Sequence, residues 1–330
     1  MRHVFIVNPA AGKNRAACER VPQIEAVFAA NRDLGTPQIL YTEAPGHATA
    51  IAAEEAEKGD AVRLYACGGD GTLSEVLQGI YGRENAELAC LPSGSANDYV
   101  RSFPEYDFRN IAALVTGSAQ PVDVIRCGDL LSLDICCMGM DADVAYKMGR
   151  YKTKPLVSGP MSYNLAIVDV FCHRIGKNLT VTMQTPRGEV IRQGRYFIAL
   201  AASGQYYGGG YRGAAMAQPD DGLLDFVLIK AMSRAKIPGF LGQYKKGVYN
   251  DPAYYEHFTG TEMTVVCDED VVAAIDGECI TGSSLTFTLC DKRVRFVLPQ
   301  RGDIKEAIFR TSPPRRRVGN MPAGSFVKKL

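Results

Sequence analysis

Residues 67–75 read Cys67-Gly68-Gly69-Asp70-Gly71-Thr72-Leu73-Ser74-Glu75, and the apolar run of residues 61–67 leads straight into them. A buried-type run that ends in glycines around an aspartate, before the helical composition of residues 72–81, reads as strand, loop, helix. A loop without side chains at a helix N-terminus leaves backbone N–H groups open to phosphate oxygens. The same loop serves as a plain glycine turn if Asp70 or Thr72 only caps the helix. Its spacing is neither Gly-x4-Gly-Lys-Ser/Thr nor Gly-x-Gly-x-x-Gly, which disfavours a P-loop nucleotidase and the usual dinucleotide site.

The unit recurs on both sides of this stretch. Residues 4–7, the turn Asn8-Pro9-Ala10-Ala11-Gly12-Lys13 and residues 16–30 repeat it, as do residues 38–41 with 47–58. Residues 88–91 lead into Pro92-Ser93-Gly94-Ser95-Ala96-Asn97-Asp98, and a helix is expected over 97–103. Alternating strands and helices specify a parallel, doubly wound α/β domain, whose ligands bind beyond the carboxyl ends of the strands. From about Pro121 the pattern changes. Strand-like runs at 122–125, 130–137, 179–184, 195–201, 223–229, 263–267, 271–275, 285–289 and 294–298 are separated mostly by turns. They predict a C-terminal antiparallel β-sandwich domain or barrel, interrupted by one helical stretch at 161–171.

Composition narrows the classes. A chain of 330 residues and 35.8 kDa exceeds the roughly 100–200 residues of one domain, and its 46% hydrophobic and 22% charged residues are those of a folded globular protein. The net charge of +1 recommends no nucleic acid partner. The charge is uneven: Arg315, Arg316, Arg317, Lys328 and Lys329 stand in the last twenty residues with no acid, leaving −4 on the rest. Ten scattered Cys without a Cys-x-x-Cys fit reduced thiols in a cytoplasmic protein, and His3, His47, His173 and His257 are too far apart for a zinc site. Residues 1–7 lack the features of a signal peptide, and no run approaches the ~18–20 apolar residues of a membrane span.

The three glycine turns, in this order, resemble those of the lipid kinases related to diacylglycerol and sphingosine kinases, especially the soluble bacterial diacylglycerol kinase branch. The likeness continues through Thr42 with Gly46-His47-Ala48, then Gly208-Gly209-Gly210, Asp220-Asp221-Gly222-Leu223-Leu224-Asp225 and Asp276-Gly277-Glu278. It implies an ATP-binding first domain of the NAD kinase and phosphofructokinase type over residues 1–122, with 299–311 returning to it. Residues 123–298 would form a lipid-binding β-sandwich and residues 312–330 a disordered basic tail. It also implies ATP as co-substrate, Mg2+, and a lipid acceptor met at a membrane surface by a cytoplasmic, peripherally attached enzyme; a homodimer is left open.

By the same resemblance Asn8, Gly12, Thr42, Gly69, Asp70, Gly71, Thr72, Glu75 and Ser95 would line the nucleotide site, with Asp70 positioning the catalytic magnesium. Asp276 would accept the proton of the lipid hydroxyl, and Glu278 would assist with metal or acceptor. A second, structural magnesium would be held by the Asp221 carboxylate and the carbonyls of Gln218 and Leu223, with Asp123 linking it to Asp70. Ser93-Gly94-Ser95 departs from the Gly-Thr common in bacterial members but keeps a hydroxyl. By pattern alone Asp276-Gly277 and Asp221-Gly222 are also hairpin turns, and Asp123 an ordinary turn acid. For the acyl chain, Tyr163, Ile167, Val170 and Phe171 form either a packed stripe or a groove, and residues 205–211 either a membrane-facing or a plain surface loop. The competing functions are a small-molecule kinase such as an NAD kinase, and a non-catalytic nucleotide or lipid sensor.

Overall fold

The computed structural model describes residues 1–12, 16–94, 96–139, 142–144, 146–147 and 176–301. Ser95, the 161–171 stretch, the segment 304–310 and the basic tail lie outside the described residues.

The first sheet takes Arg2–Val7 (β1), Gln38–Tyr41 (β2), Val62–Gly68 (β3), Ala86–Pro92 (β4) and Ser118–Val122 (β5). Its order is β2-β1-β3-β4, then Val294–Leu298 from the end of the chain, then β5. The first four strands are parallel, and Val62–Gly68 and Ala86–Pro92 are buried at every position. That is why these strands read as unbroken apolar runs: helices cover both faces of a parallel sheet. The covering helices are Val21–Ala30 (α1), His47–Glu57 (α2), Asp70–Ile80 (α3) and Ile111–Val115 (α4). A Cβ on Gly79 would lie 2.5 Å from the Thr49 carbonyl, so glycine there lets α2 and α3 approach closely. Val7 pairs with Cys67, and Gly68 with Pro92, which brings the three turns to one edge of the sheet.

The second domain is antiparallel: Ile125–Cys127 (β6), Leu130–Ser132 (β7), Ile135–Gly139 (β8), Lys177–Thr185 (β9), Gly188–Ala202 (β10), Leu224–Lys230 (β11), Tyr255–Gly260 (β12), Glu262–Ile275 (β13) and Glu278–Leu289 (β14). β10 and β13 each pair with β9 along one half and with β8 along the other. This closes the sheet around Val181, Met183, Phe226, Met263, Val265 and Phe287. The outer face of β10 is covered by Ile237–Tyr244 (α5), where Phe240 meets the Phe197 ring edge-on. The fold is the expected α/β domain followed by an antiparallel β-sandwich closing toward a barrel.

Several boundaries differ from expectation. The expected sandwich of residues 123–298 includes Val294–Leu298 (β15), but this strand lies in the first sheet, parallel to β4 and antiparallel to β5. The helix expected over 97–103 shrinks to a 3-10 turn at Tyr99–Ser102, because Asn97 has φ 51° and the N–H groups of Asp98 and Tyr99 are taken by the Asp70 carboxylate. The runs 263–267 and 271–275 are one strand, irregular between Val266 and Val271. Residues 122–125 form the crossing between the two domains.

Candidate active site

The first domain contributes three backbone turns that touch one another. Ser93 N–H and Gly94 N–H both donate to the Gly68 carbonyl, at 2.8 and 2.9 Å. A Cβ on Gly94 would stand 2.4 Å from the Gly69 Cα, so the second and third turns meet backbone to backbone and only glycine fits. Asn8 ties the first turn in: its Oδ1 accepts from Ala10 N–H, and its Nδ2 donates to Thr72 Oγ1 at 3.2 Å. Gly12 turns at φ 59°, nothing lies within 4 Å of a Cβ built on Gly71, and Thr42 is buried behind its N–H bond to Val7. Gly69, Gly71 and Thr72 thus surround the amino end of α3. Glu75 faces elsewhere: its Oε2 accepts the Ala48 N–H and its carbonyl the Thr49 hydroxyl, which fastens α2 to α3. Asp70, the first residue of α3, is largely buried and receives the N–H groups of Asp98 (2.7 Å) and Tyr99 (3.4 Å) on Oδ1. Burial, then the nearby Asp98 charge, pushes its carboxyl above the usual range.

The second domain brings Asp276 to the same cleft. Asp276 and Gly277 are the two-residue tip between β13 and β14, with φ 45° and 97°, and Ile275 pairs with Glu278. Both positive values make this the tight hairpin that Asp-Gly favours. The Asp-Gly pair is therefore a hairpin turn, and that turn holds Asp276 near Asp70. Asp276 Oδ1 accepts from Ser132 Oγ at 2.7 Å and Oδ2 from Leu133 N–H at 3.1 Å, which fixes the carboxylate against the corner between β7 and β8. Burial, opposed by these hydrogen bonds and reinforced by the Asp70 charge, raises its carboxyl to about 6. Glu278 is exposed at the start of β14.

Two further groups that the motifs do not include are buried behind this cleft. Asp134 is 7% exposed, its Oδ1 has no hydrogen-bond partner among the described residues, and Gly204 packs over it, since a Cβ there would reach that oxygen at 2.1 Å. Burial and the neighbouring Asp276, Asp70 and Asp98 hold its carboxyl well above the usual range. The Tyr99 hydroxyl is likewise buried without a partner, in the field of Asp134, Asp276 and Asp123. One signal for Asp134 was available: an acid interrupting the otherwise apolar Leu133-Asp134-Ile135-Cys136. Residues 205–211 form a wall of this cleft. Gly209 N–H donates to Asp98 Oδ2 at 2.7 Å, Gln205 N–H to Ser102 Oγ, and the Tyr207 hydroxyl meets that of Tyr244 at 3.0 Å.

This geometry coincides with two family models. Residues 2–127 match the diacylglycerol kinase catalytic domain, and residues 135–298 the YegS C-terminal NAD kinase beta sandwich-like domain. The chain belongs to the diacylglycerol kinase-like lipid kinases. Among the relatives of this lipid kinase, a Pseudomonas aeruginosa protein described as "Probable lipid kinase YegS-like" is 29% identical over 84% of this chain and 90% of its own length. A Staphylococcus saprophyticus diacylglycerol kinase is 24% identical over 72% of this chain and 76% of its own. The crystal structure of a diacylglycerol kinase from Bacillus anthracis superposes with TM-score 0.66 over 90% of this chain and 96% of that one; at 19% identity the likeness is one of fold.

Magnesium is the ion the lipid kinase family implies, and its two expected positions fare differently. At the cleft no three acidic, His or Cys side chains among the described residues converge on one metal position, but Asp70 and the unpartnered Asp134 Oδ1 offer hard oxygen donors, and magnesium is commonly held by one or two carboxylates together with substrate phosphates and water. These residues fit. At the 218–223 turn, Asp221 Oδ1 instead accepts the Leu223 N–H at 3.0 Å, and Asp123 faces the Arg293 guanidinium at 2.8 Å. This turn does not fit a bound dication as it stands.

Proposed function

We propose that this lipid kinase transfers the γ-phosphoryl group of ATP to the hydroxyl of diacylglycerol or a related lipid alcohol, giving phosphatidic acid or the corresponding lipid phosphate. The observation that carries the reading is Asp276, oriented by Ser132 and Leu133 and close enough to Asp70 to feel its charge. Phosphoryl transfer asks a protein mainly for positioning and charge compensation, with one carboxylate beside the attacking hydroxyl. The open backbone of Gly71 and the amino end of α3 suit the phosphates, and Asp70 sits where it can orient the ion. Magnesium supplies charge neutralisation on the transferring group. Asp276 accepts the proton of the acceptor hydroxyl: a carboxyl raised to about 6 is ionised at neutral pH yet more basic than an exposed aspartate. Glu278 stands two residues on, at the mouth.

The acceptor lies in a bilayer, and among the described residues no helix is long and apolar enough to cross one. The proposal therefore includes work at the membrane surface, with the basic tail as an attachment. Incubation with labelled ATP, magnesium and a panel of diacylglycerol, ceramide and sphingosine in mixed micelles, with NAD as control, tests it. Label in one lipid phosphate supports the reading, and the panel identifies the acceptor. Label in NAD alone, or in no acceptor from protein that binds ATP, overturns it.

A further inference from the structure

The chain crosses between its domains twice, at 122–125 and again at 289–294. The two crossings run side by side, since Cys290 N–H donates to the Val124 carbonyl at 2.8 Å. Asp123 sits at their centre, 1% exposed. Its N–H donates to the Pro219 carbonyl and its Oδ2 accepts the Gly222 N–H, both at 2.7 Å, so it binds the first crossing to the 219–222 turn. A buried carboxylate of this kind requires a counter-charge.

We infer that the Arg293 guanidinium supplies that counter-charge, in the place where the family resemblance put a structural magnesium ion, and so clasps both crossings to the turn. Arg293 Nε lies 2.8 Å from Asp123 Oδ1, in an ion pair off the line of a straight hydrogen bond. The same guanidinium covers the turn: a Cβ on Gly222 would meet its Nη2 at 2.9 Å. Burial raises the Asp123 and Asp221 carboxyls, and after the backbone N–H groups of Gly222 and Leu223 the Arg293 charge offsets part of that rise at each. Magnesium needs near-octahedral oxygen donors, and a guanidinium already against the turn repels a dication. An anion is no better suited to the position. The cavity beside Arg293 is also lined by Glu262 and Asp291. Arg293 is thus a positioning residue for the domain junction, whichever lipid is phosphorylated.

Thermal melts of the nucleotide-free, full-length protein in chelator and in millimolar magnesium test this. A ligand bound only by the folded state raises the midpoint by mass action, so a guanidinium-held turn predicts that magnesium shifts wild type and Asp221→Ala equally, within about 1 °C. Arg293→Met keeps the stem without the charge and is expected to melt at least about 4 °C lower. Adding Asp123→Asn to that variant should recover most of the loss, because the stranded charge is gone; a residue that only fills space would show no such recovery. If Arg293→Met does not fold, Arg293→Lys and the wild-type comparison still decide. A wild-type rise of about 4 °C or more in magnesium that Asp221→Ala abolishes would overturn the inference. A rise that survives Asp221→Ala arises outside the turn and supports it.

Discussion

Asp276→Asn should make this protein a far slower enzyme and a more stable one. Folding moves the Asp276 carboxyl from 3.8 to about 6, so at pH 8 the folded state carries an ionised group whose charged form it disfavours. Two units at about 1.4 kcal/mol each set a ceiling near 3 kcal/mol on what neutralisation returns. The amide preserves much of the local bonding: its oxygen can accept the Leu133 N–H, and its NH2 can donate to Ser132 Oγ once that hydroxyl turns. A net gain of about 1–3 kcal/mol raises the melting midpoint by at least about 2 °C. The sign follows from linkage. A carboxyl raised by folding costs stability above its folded value and none below about pH 4, where both states are protonated, so the advantage of the variant shrinks as pH falls. The turnover number moves the other way, by at least about a hundredfold, the low end of what a general base contributes. Steady-state kinetics with labelled ATP and melts at pH 4, 6 and 8 measure both. A folded variant with near-normal turnover, or one destabilised equally at all three pH values, would refute the reasoning.

The wild-type kcat/KM should fall below about pH 6 with unit slope as Asp276 takes up its proton, and a rate flat down to pH 5 would remove it from the base role. Gly94→Ala forces a methyl to within 2.4 Å of the Gly69 Cα; overpacking of this kind costs about 1–3 kcal/mol, and by parting the two turns it should raise the KM for ATP more than the KM for lipid. Deleting residues 311–330 removes five cations, each contributing at most about 1 kcal/mol near an anionic leaflet. Sedimentation with anionic vesicles should weaken and lose its salt dependence, while activity on a short-chain soluble substrate is unchanged.

The first domain was legible because burial on both faces writes a parallel strand as an apolar run, as in Val62–Gly68, and the glycines that follow mark the turn into a helix. What escaped was set by partners distant in sequence. Val294–Leu298 reads as one more strand of the sandwich, and only its pairing with β4 and β5 assigns it to the first sheet. Ile237–Tyr244 hides behind Pro238, Gly239 and Gly242, helix-poor residues overridden by the burial of Phe240 and Tyr244. Asp276 was found through its motif, but Ser132 and Asp134, 144 and 142 positions earlier in the chain, share no local pattern with it. Arg293 looked like one more charge in the turn after β14, since Asp291 and Lys292 precede it.

Because β15 completes the first sheet after the whole sandwich has been traversed, the amino-terminal domain cannot be cut out as one continuous piece. A fragment ending at residue 122 would leave β4 and β5 facing a gap, with Phe296 missing from among Tyr99, Phe103 and Phe108, whose rings it touches. During synthesis the first domain must therefore wait for the ribosome to pass Leu298 before its sheet can close, and the sandwich is made entirely within that wait. Two tethers also leave two bodies fewer ways to move than one. Further bonds between the domains, from Gly209 to Asp98, from Gln205 to Ser102 and between Gln78 and Leu131, add to the two crossings in holding the sandwich, with Asp276, against the sheet that carries Asp70.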